Sequence, residues 1–423
     1  MTRQRYVHLD GLRAIAALAV MVEHLFGDLL RQAPAATGPM SLAARATVEN
    51  LSLGRFGVAL FFLISGFVVP FSIQGERPLR HFAISRLFRL YPALWLALAV
   101  LATATWLSGD AAPIVAVLAN MTMAPPLFGQ PWLSPIYWTL FVELVFYVLV
   151  ALLFAAGGLR NIGALLGVSL CMIATTVLPV QLRVHGAAAL PVQYLGLHLS
   201  FLFLGLLLRL WLVERRPGAT LPALILGLAQ LAAVLAVAPF SLARGDNFIM
   251  EGLKPVVSAY LIAIAVFIAA VRLERPRSAL LARIGLISYA MYLFHGPVNA
   301  AVYRAMPLTG RLGDLATMLV CIGLTLALSQ LVHHAVERPM IRLGRRIASR
   351  REGAAHQASK PPAEGEGRGK QDDSRATAPV EADHGAHASD RALTTIIGTA
   401  IASVMLSWLV LLGYVAWKIA DLL

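Results

Sequence analysis

The 423-residue chain has little of two things that most proteins use freely, cysteine and charge. Its two cysteines, Cys171 and Cys321, both lie inside apolar runs. That excludes a disulfide scaffold and leaves no cysteine spacing suited to zinc. Only 13% of the residues are Asp, Glu, Lys or Arg, while 58% are hydrophobic and the mean hydropathy is +0.73. Such a chain cannot cover itself with a solvated surface, so a soluble globular protein is excluded. No repeat of fixed period and no glycine-rich phosphate loop is present.

What the chain does have is long apolar runs. Crossing a hydrocarbon core takes roughly 20 apolar residues. Eleven such runs lie near 9–30, 52–72, 91–108, 136–156, 160–178, 194–213, 220–240, 254–271, 284–303, 314–336 and 393–417. Membrane β-barrels are built instead from short alternating strands. The runs therefore predict an all-α, polytopic membrane helix bundle, with a ten-helix core and an eleventh, C-terminal transmembrane helix. Composition changes after residue 344. Residues 1–344 form the expected membrane domain, 345–391 a disordered cytoplasmic linker rich in Ala, Gly, Pro, Glu, Lys, Ser and His, and 392–423 the last helix.

The formal net charge of +13 does not point to nucleic acid, because the basic residues cluster at the ends of the apolar runs. With the N-terminus in the cytoplasm, the short inner connections carry fourteen Lys and Arg against eight outside, and the 109–135 loop carries none. This bias favours a cytoplasmic N-terminus and an extracytoplasmic C-terminus in an inner (plasma) membrane. Arg3 and Arg5 before an apolar stretch resemble a signal peptide, but Asp10 and Arg13 interrupt that stretch.

Polar residues inside such runs are informative, since an ionisable group at mid-membrane costs about 2.5–3.5 kcal/mol on the insertion scale. The first run, "HLDGLRAIAALAVMVEHLF", holds Asp10, Arg13, Glu23 and His24. Eleven residues separate Arg13 from His24, which puts them on one helix face roughly 16 Å apart in height. Snorkelling of Asp10 and Arg13 to the interface is the plain alternative. In "FFLISGFVV", Ser65 and Gly66 read as small residues for close packing. No glycine-flanked elbow surrounds Ser65, which argues against a serine hydrolase.

"RHFAISRLFRLYPALW" places Arg86 and Arg89 three apart on one face just before the bilayer. They read either as positive-inside anchors or as a bidentate clamp for a polyphosphate ligand. "PIYWTLFVELVFYVLV" buries Glu143 in an otherwise apolar run at a depth comparable to that of His24, where it could orient an imidazole. Tyr137, Trp138 and Tyr147 beside it could contact substrate or form an interfacial belt. "ISYAMYLFHGPVNA" sets His295 and Asn299 one turn apart as candidate substrate contacts. In "VERPM", Glu337 and Arg338 read as structural, with Pro339 stopping the helix.

Taken in order, "HLDGLRAIAAL" with His24, "FFLISGF", Arg86 and Arg89 before "LYP", "YWTLFVELVFY", "ISYAMYLFH" and "VERP" resemble the acyltransferase-3 family of membrane acyltransferases. The resemblance covers residues 5 to about 345. It implies transfer of an acyl group, usually acetyl, from cytoplasmic acetyl-CoA to a hydroxyl of a cell-envelope glycan, glycolipid or secondary metabolite. It also implies that Arg13 with His24, and Arg86 with Arg89, match the family's functional pairs. Family members with an eleventh helix often carry an extracytoplasmic esterase domain on it, and the expectation here is a chain without that second catalytic domain.

The expected mechanism places acyl-CoA phosphates on Arg86, Arg89 and Arg13, with His24 as general base. Its unperturbed pKa near 6.5 leaves it available neutral at physiological pH. Glu143 or Glu23 would orient the imidazole, and no metal or permanently bound cofactor is needed. Transient acylation of His24 is a variant. The rival readings are a transporter or flippase for a lipid-linked saccharide, and a scaffold that docks an envelope-assembly protein through the linker and last helix.

Overall fold

The computed structural model describes residues 7–186, 193–245, 248 and 252–358, and these form helices and no strand. In chain order the helices are α1 (Val7–Gln32), α2 (Pro39–Val48), α3 (Leu53–Val68), α4 (Pro78–Leu107), α5 (Ile114–Met121), α6 (Trp138–Ala155) and α7 (Ile162–Val184). They continue with α8 (Leu195–Leu212), α9 (Thr220–Arg244), α10 (Leu253–Leu273), α11 (Ala279–Leu286), α12 (Ser288–Ala305), α13 (Asp314–Val332) and α14 (Arg338–Ala358). Among the described residues, eight spans are long and apolar enough to cross a membrane, and α11 with α12, bent by 69°, would make a ninth. The protein is a polytopic helical membrane bundle.

α1 is 26 residues long, yet its Asp, Glu and Arg residues keep it off that hydropathy count. The bundle resolves the conflict by enclosing it. α1 packs against α3, α10, α11 and α12, so its polar residues face protein rather than lipid tails. Close backbone approach makes this possible. A Cβ at Gly57 of α3 would press on the Ala16 carbonyl of α1, and one at Gly285 on the Asp10 carbonyl. α3 and α8 approach reciprocally, with Gly66 against the Leu202 carbonyl and Gly205 against the Leu63 carbonyl. Lipid tails are as apolar as leucine, so shape-matched packing of this kind holds membrane helices together.

The 109–135 connection is folded, not merely long. Asn120 at the end of α5 donates to the Ala116 and Pro131 carbonyls at 2.8 and 2.9 Å and accepts from Leu133 N at 3.1 Å. Trp95 of α4 donates to the Met121 carbonyl at 3.1 Å. This closed loop delivers the chain to the start of α6.

Two expectations at the C-terminal end of the core need correction. Pro339 does not stop the helix. A single π-helical turn, His333–Glu337, joins α13 to α14 without a break, so Pro339 lies inside a continuous helix, which the π-turn immediately before it leaves unbroken despite the missing N–H. Nor does the ordered region end at residue 344. α14 continues to Ala358, with Gly344 packed on the Phe88 ring of α4 and Arg80 donating to the Ile347 carbonyl at 3.4 Å. The rest of the expected linker and the last expected helix lie outside the described residues.

Candidate active site

A cavity of about 680 Å³ is bounded by α1, α3, α4, α6, α8 and α12. Four guanidiniums line it: Arg13 from α1, Arg86 and Arg89 from α4, and Arg209 from α8. Two carboxylates, Asp10 and Glu143, face them, so the lining carries a surplus of two positive charges. Arg13 donates to Asp10 at 3.0 Å. Arg86 donates to Ser72 Oγ at 2.7 Å and stands 5.4 Å from the centroids of both Phe82 and Tyr147, while its Nε is buried without a partner. Arg209 lies over the Phe71 ring at 4.1 Å and 3.8 Å from Glu214. Arg89 has no hydrogen bond or ion pair among the described residues.

Glu143 is held on the far wall. Its Oε1 accepts from Ser65 Oγ at 3.3 Å and from the Tyr147 hydroxyl. Ser65 therefore does more than permit close packing: Gly66 carries the contact with α8, and Ser65 turns toward the cavity. Tyr289 and Tyr292 of α12 complete the lining. Tyr289 donates to the Leu90 carbonyl at 2.8 Å, and Tyr292 donates to the Ile136 carbonyl at 2.7 Å. A confined space with unneutralised guanidinium donors is suited to an anion bearing several oxygens, such as a polyphosphate.

A second polar cluster lies between α1 and α12, outside the lining of this cavity. The rings of His24 and His295 stand 5.0 Å apart. One turn further along α1 and two turns further along α12, Tyr303 donates to Asp28 Oδ2 at 3.1 Å. Asn299 lies between these two contacts along α12, 3% exposed, and its buried Oδ1 has no partner among the described residues. His295 Nδ1 is 3.1 Å from the Met291 carbonyl. Neither ring nitrogen of His24 has a hydrogen-bond partner among the described residues.

The structure thus brings together Arg13, Arg86, Arg89 and Glu143, and separately His24, His295 and Asn299. The carboxylates do not play the expected orienting part for His24. Glu143 bonds with Ser65 and Tyr147, and Glu23 accepts from Leu53 N at 3.0 Å at the start of α3. Tyr137 and Tyr147, 2% and 6% exposed, are not an interfacial belt. Tyr137 donates to the Leu293 carbonyl at 3.1 Å, tying α6 to α12. Trp138 packs against His198 at 4.5 Å, separated from the cavity by Phe62. Sequence reading missed Arg209, Ser72, Tyr289 and Tyr292 as cavity residues. Arg209 looked like one more charge at a helix end, and only the packing of α8 on α3 turns it inward. Among the described residues no group of three or more His, Cys, Asp or Glu side chains is arranged to hold a metal ion.

Residues 6–334 match the family model described as an acyltransferase domain. A provisionally named O-acetyltransferase of Staphylococcus aureus (strain COL) is 26% identical over 377 residues, 81% of this chain and 58% of that protein. Nodulation protein 10 of Rhizobium leguminosarum bv. viciae is 31% identical over 168 residues, 34% of this chain and 43% of that protein. The chain therefore spans about half the length of these curated relatives. No solved structure matches significantly. The match covers the helices that build both polar clusters, and the chain belongs to the acyltransferase-3 family.

Proposed function

We infer that this protein is a membrane O-acyltransferase that moves an acetyl group from acyl-CoA to a hydroxyl of a cell-envelope or exported glycan or glycolipid. The observation that carries this reading is the separation of two unlike polar clusters within one acyltransferase-family fold. One is a cavity with surplus guanidinium charge, including the unpaired Arg89; the other is a buried histidine pair with an unpartnered amide oxygen. Three of the cavity arginines, Arg86, Arg89 and Arg209, belong to the set that the charge bias assigns to the cytoplasm, the compartment of acyl-CoA. The acetyl group and an oxygen acceptor are supported by the O-acetyltransferase name of the staphylococcal relative.

In this reading Arg86, Arg89, Arg13 and Arg209 hold the donor phosphates, and the pantetheine arm extends toward the histidines. His24 takes the proton of the acceptor hydroxyl as its oxygen attacks the thioester carbonyl. The carbon–sulfur bond then breaks, the proton passes to the departing thiolate, and the products are an ester and free CoA thiol. His295 packs on the His24 ring and, with Asn299, contacts the acceptor. Water exclusion in the bundle suppresses thioester hydrolysis.

The test is thiol release from acetyl-CoA by purified protein in lipid, with a glycolipid extract of a bacterial envelope, for wild type and His24→Ala. Release that needs the extract and disappears in a folded His24→Ala variant is the expected result. Equal release by both proteins would remove His24 from the chemistry. Movement of labelled glycan without any thioester would instead make the protein a transporter.

A further inference from the structure

Neither His24 nor His295 lines the donor cavity. Tyr292 lines the cavity, and its ring centroid is 6.1 Å from that of His295, which is 5.0 Å from that of His24. Both separations fall in the range of direct ring contact, about 4.5–7 Å, so no acyl chain lies between these rings. On its cavity side the tyrosine meets the edge of Phe61 at 6.2 Å, and Phe61 also lines the cavity. The phenol is fixed at its far end as well. Its hydroxyl donates to the Ile136 carbonyl at 2.7 Å and lies 2.7 Å from Thr139 Oγ1. Swinging the ring aside breaks hydrogen bonds in a buried site, where a polar group left unmet costs about 1–3 kcal/mol.

In this arrangement a thioester held by the arginines meets this pinned ring on its way to His24. We propose that Tyr292, backed by Phe61, is a specificity-determining residue that sets the length of the transferred acyl group. A wall at this point limits how much aliphatic chain can follow the carbonyl carbon when the carbonyl faces His24, and a methyl asks for the least room. This inference rests on the acyltransferase reading above. A site that excludes one methylene by its walls discriminates by roughly 10- to 200-fold, which is the scale expected between acetyl-CoA and its longer homologues.

The experiment compares acetyl-CoA, propionyl-CoA and butyryl-CoA as donors, reading extract-dependent thiol release as kcat/KM, for wild type, Tyr292→Ala, Tyr292→Phe and Phe61→Ala. Wild type should prefer acetyl-CoA. Tyr292→Ala should raise the butyryl-to-acetyl ratio by about tenfold or more, Phe61→Ala should shift it in the same direction, and Tyr292→Phe, which keeps the ring, should stay nearer wild type. An unshifted ratio in an active Tyr292→Ala variant overturns the proposal, as does a wild type that uses butyryl-CoA as well as acetyl-CoA. Alanine variants that remain folded by thermal melting but are inactive with every donor overturn it too, by making the ring a requirement of transfer itself. Absence of extract-dependent thiol release by wild type with all three donors strikes at the acyltransferase reading instead.

Discussion

The arginine cavity and the histidine pair are built on the same helix, α1, yet they treat their charged groups in opposite ways. In the cavity most cations are steadied by neighbours: Arg13 by Asp10, Arg86 by Ser72, Arg209 by Phe71 and Glu214. Among the described residues nothing hydrogen-bonds the ring nitrogens of His24 or meets the Asn299 oxygen. The difference separates two tasks. Binding a multiply charged ligand calls for positive charge held in fixed places, because disordered cations would lose entropy on binding. Moving a proton calls for a base whose lone pair is not already occupied.

The comparison can be broken at either end, and the largest effect belongs to the base. His24→Ala should lower acyl transfer by about 10²–10⁴-fold while leaving acyl-CoA binding, followed by ligand-induced thermal stabilisation, close to wild type. Loss of donor binding in that variant would merge the two regions into one. Arg89→Ala should do the converse. Removing one charge-assisted hydrogen bond, worth about 1.5–3 kcal/mol, should raise KM for acyl-CoA by roughly 10- to 100-fold with a smaller change in kcat. A kcat defect without a KM defect would move Arg89 out of donor binding.

A finer cut uses Asn299. Its Oδ1 has no internal partner to lose, so Asn299→Leu should leave the melting temperature near wild type while raising KM for the acceptor by about tenfold, the value of one hydrogen bond of roughly 1.4 kcal/mol. Pronounced destabilisation would make the amide structural. The smallest effect on chemistry should come from Gly66→Ala. The added methyl presses on the Leu202 carbonyl, and overpacking of this kind costs about 1–3 kcal/mol. Stability in a denaturation series should fall, with KM for both substrates unchanged in the folded fraction.

Much of the fold was legible before any coordinates. The ten core crossings fall on α1, α3, α4, α6, α7, α8, α9, α10, α12 and α13, because a run of about 20 apolar residues has few other stable forms in a bilayer. The short helices α2 and α5, the bend between α11 and α12, and the π-turn before Pro339 were not legible. They depend on contacts such as Asp10 against Gly285 and Asn120 against Pro131, which join residues far apart or at unpredictable angles. Within the site, Arg13, Arg86, Arg89, Glu143, His24, His295 and Asn299 stood out as polar residues in apolar runs. Their grouping did not.

The sequence by itself determined the helical membrane architecture and the set of polar residues that demand a reason. Hydrophobicity and helical period are local properties, so they can be read along one chain. Tertiary structure alone decided that Glu143 turns to Ser65 and Tyr147 rather than to an imidazole, that Arg209 joins the other three arginines, and that Tyr292 stands between the cavity and the histidines. Each of those outcomes depends on which helix faces meet. That is set by packing at glycines such as Gly66 and Gly205, and apolar runs alone do not specify it.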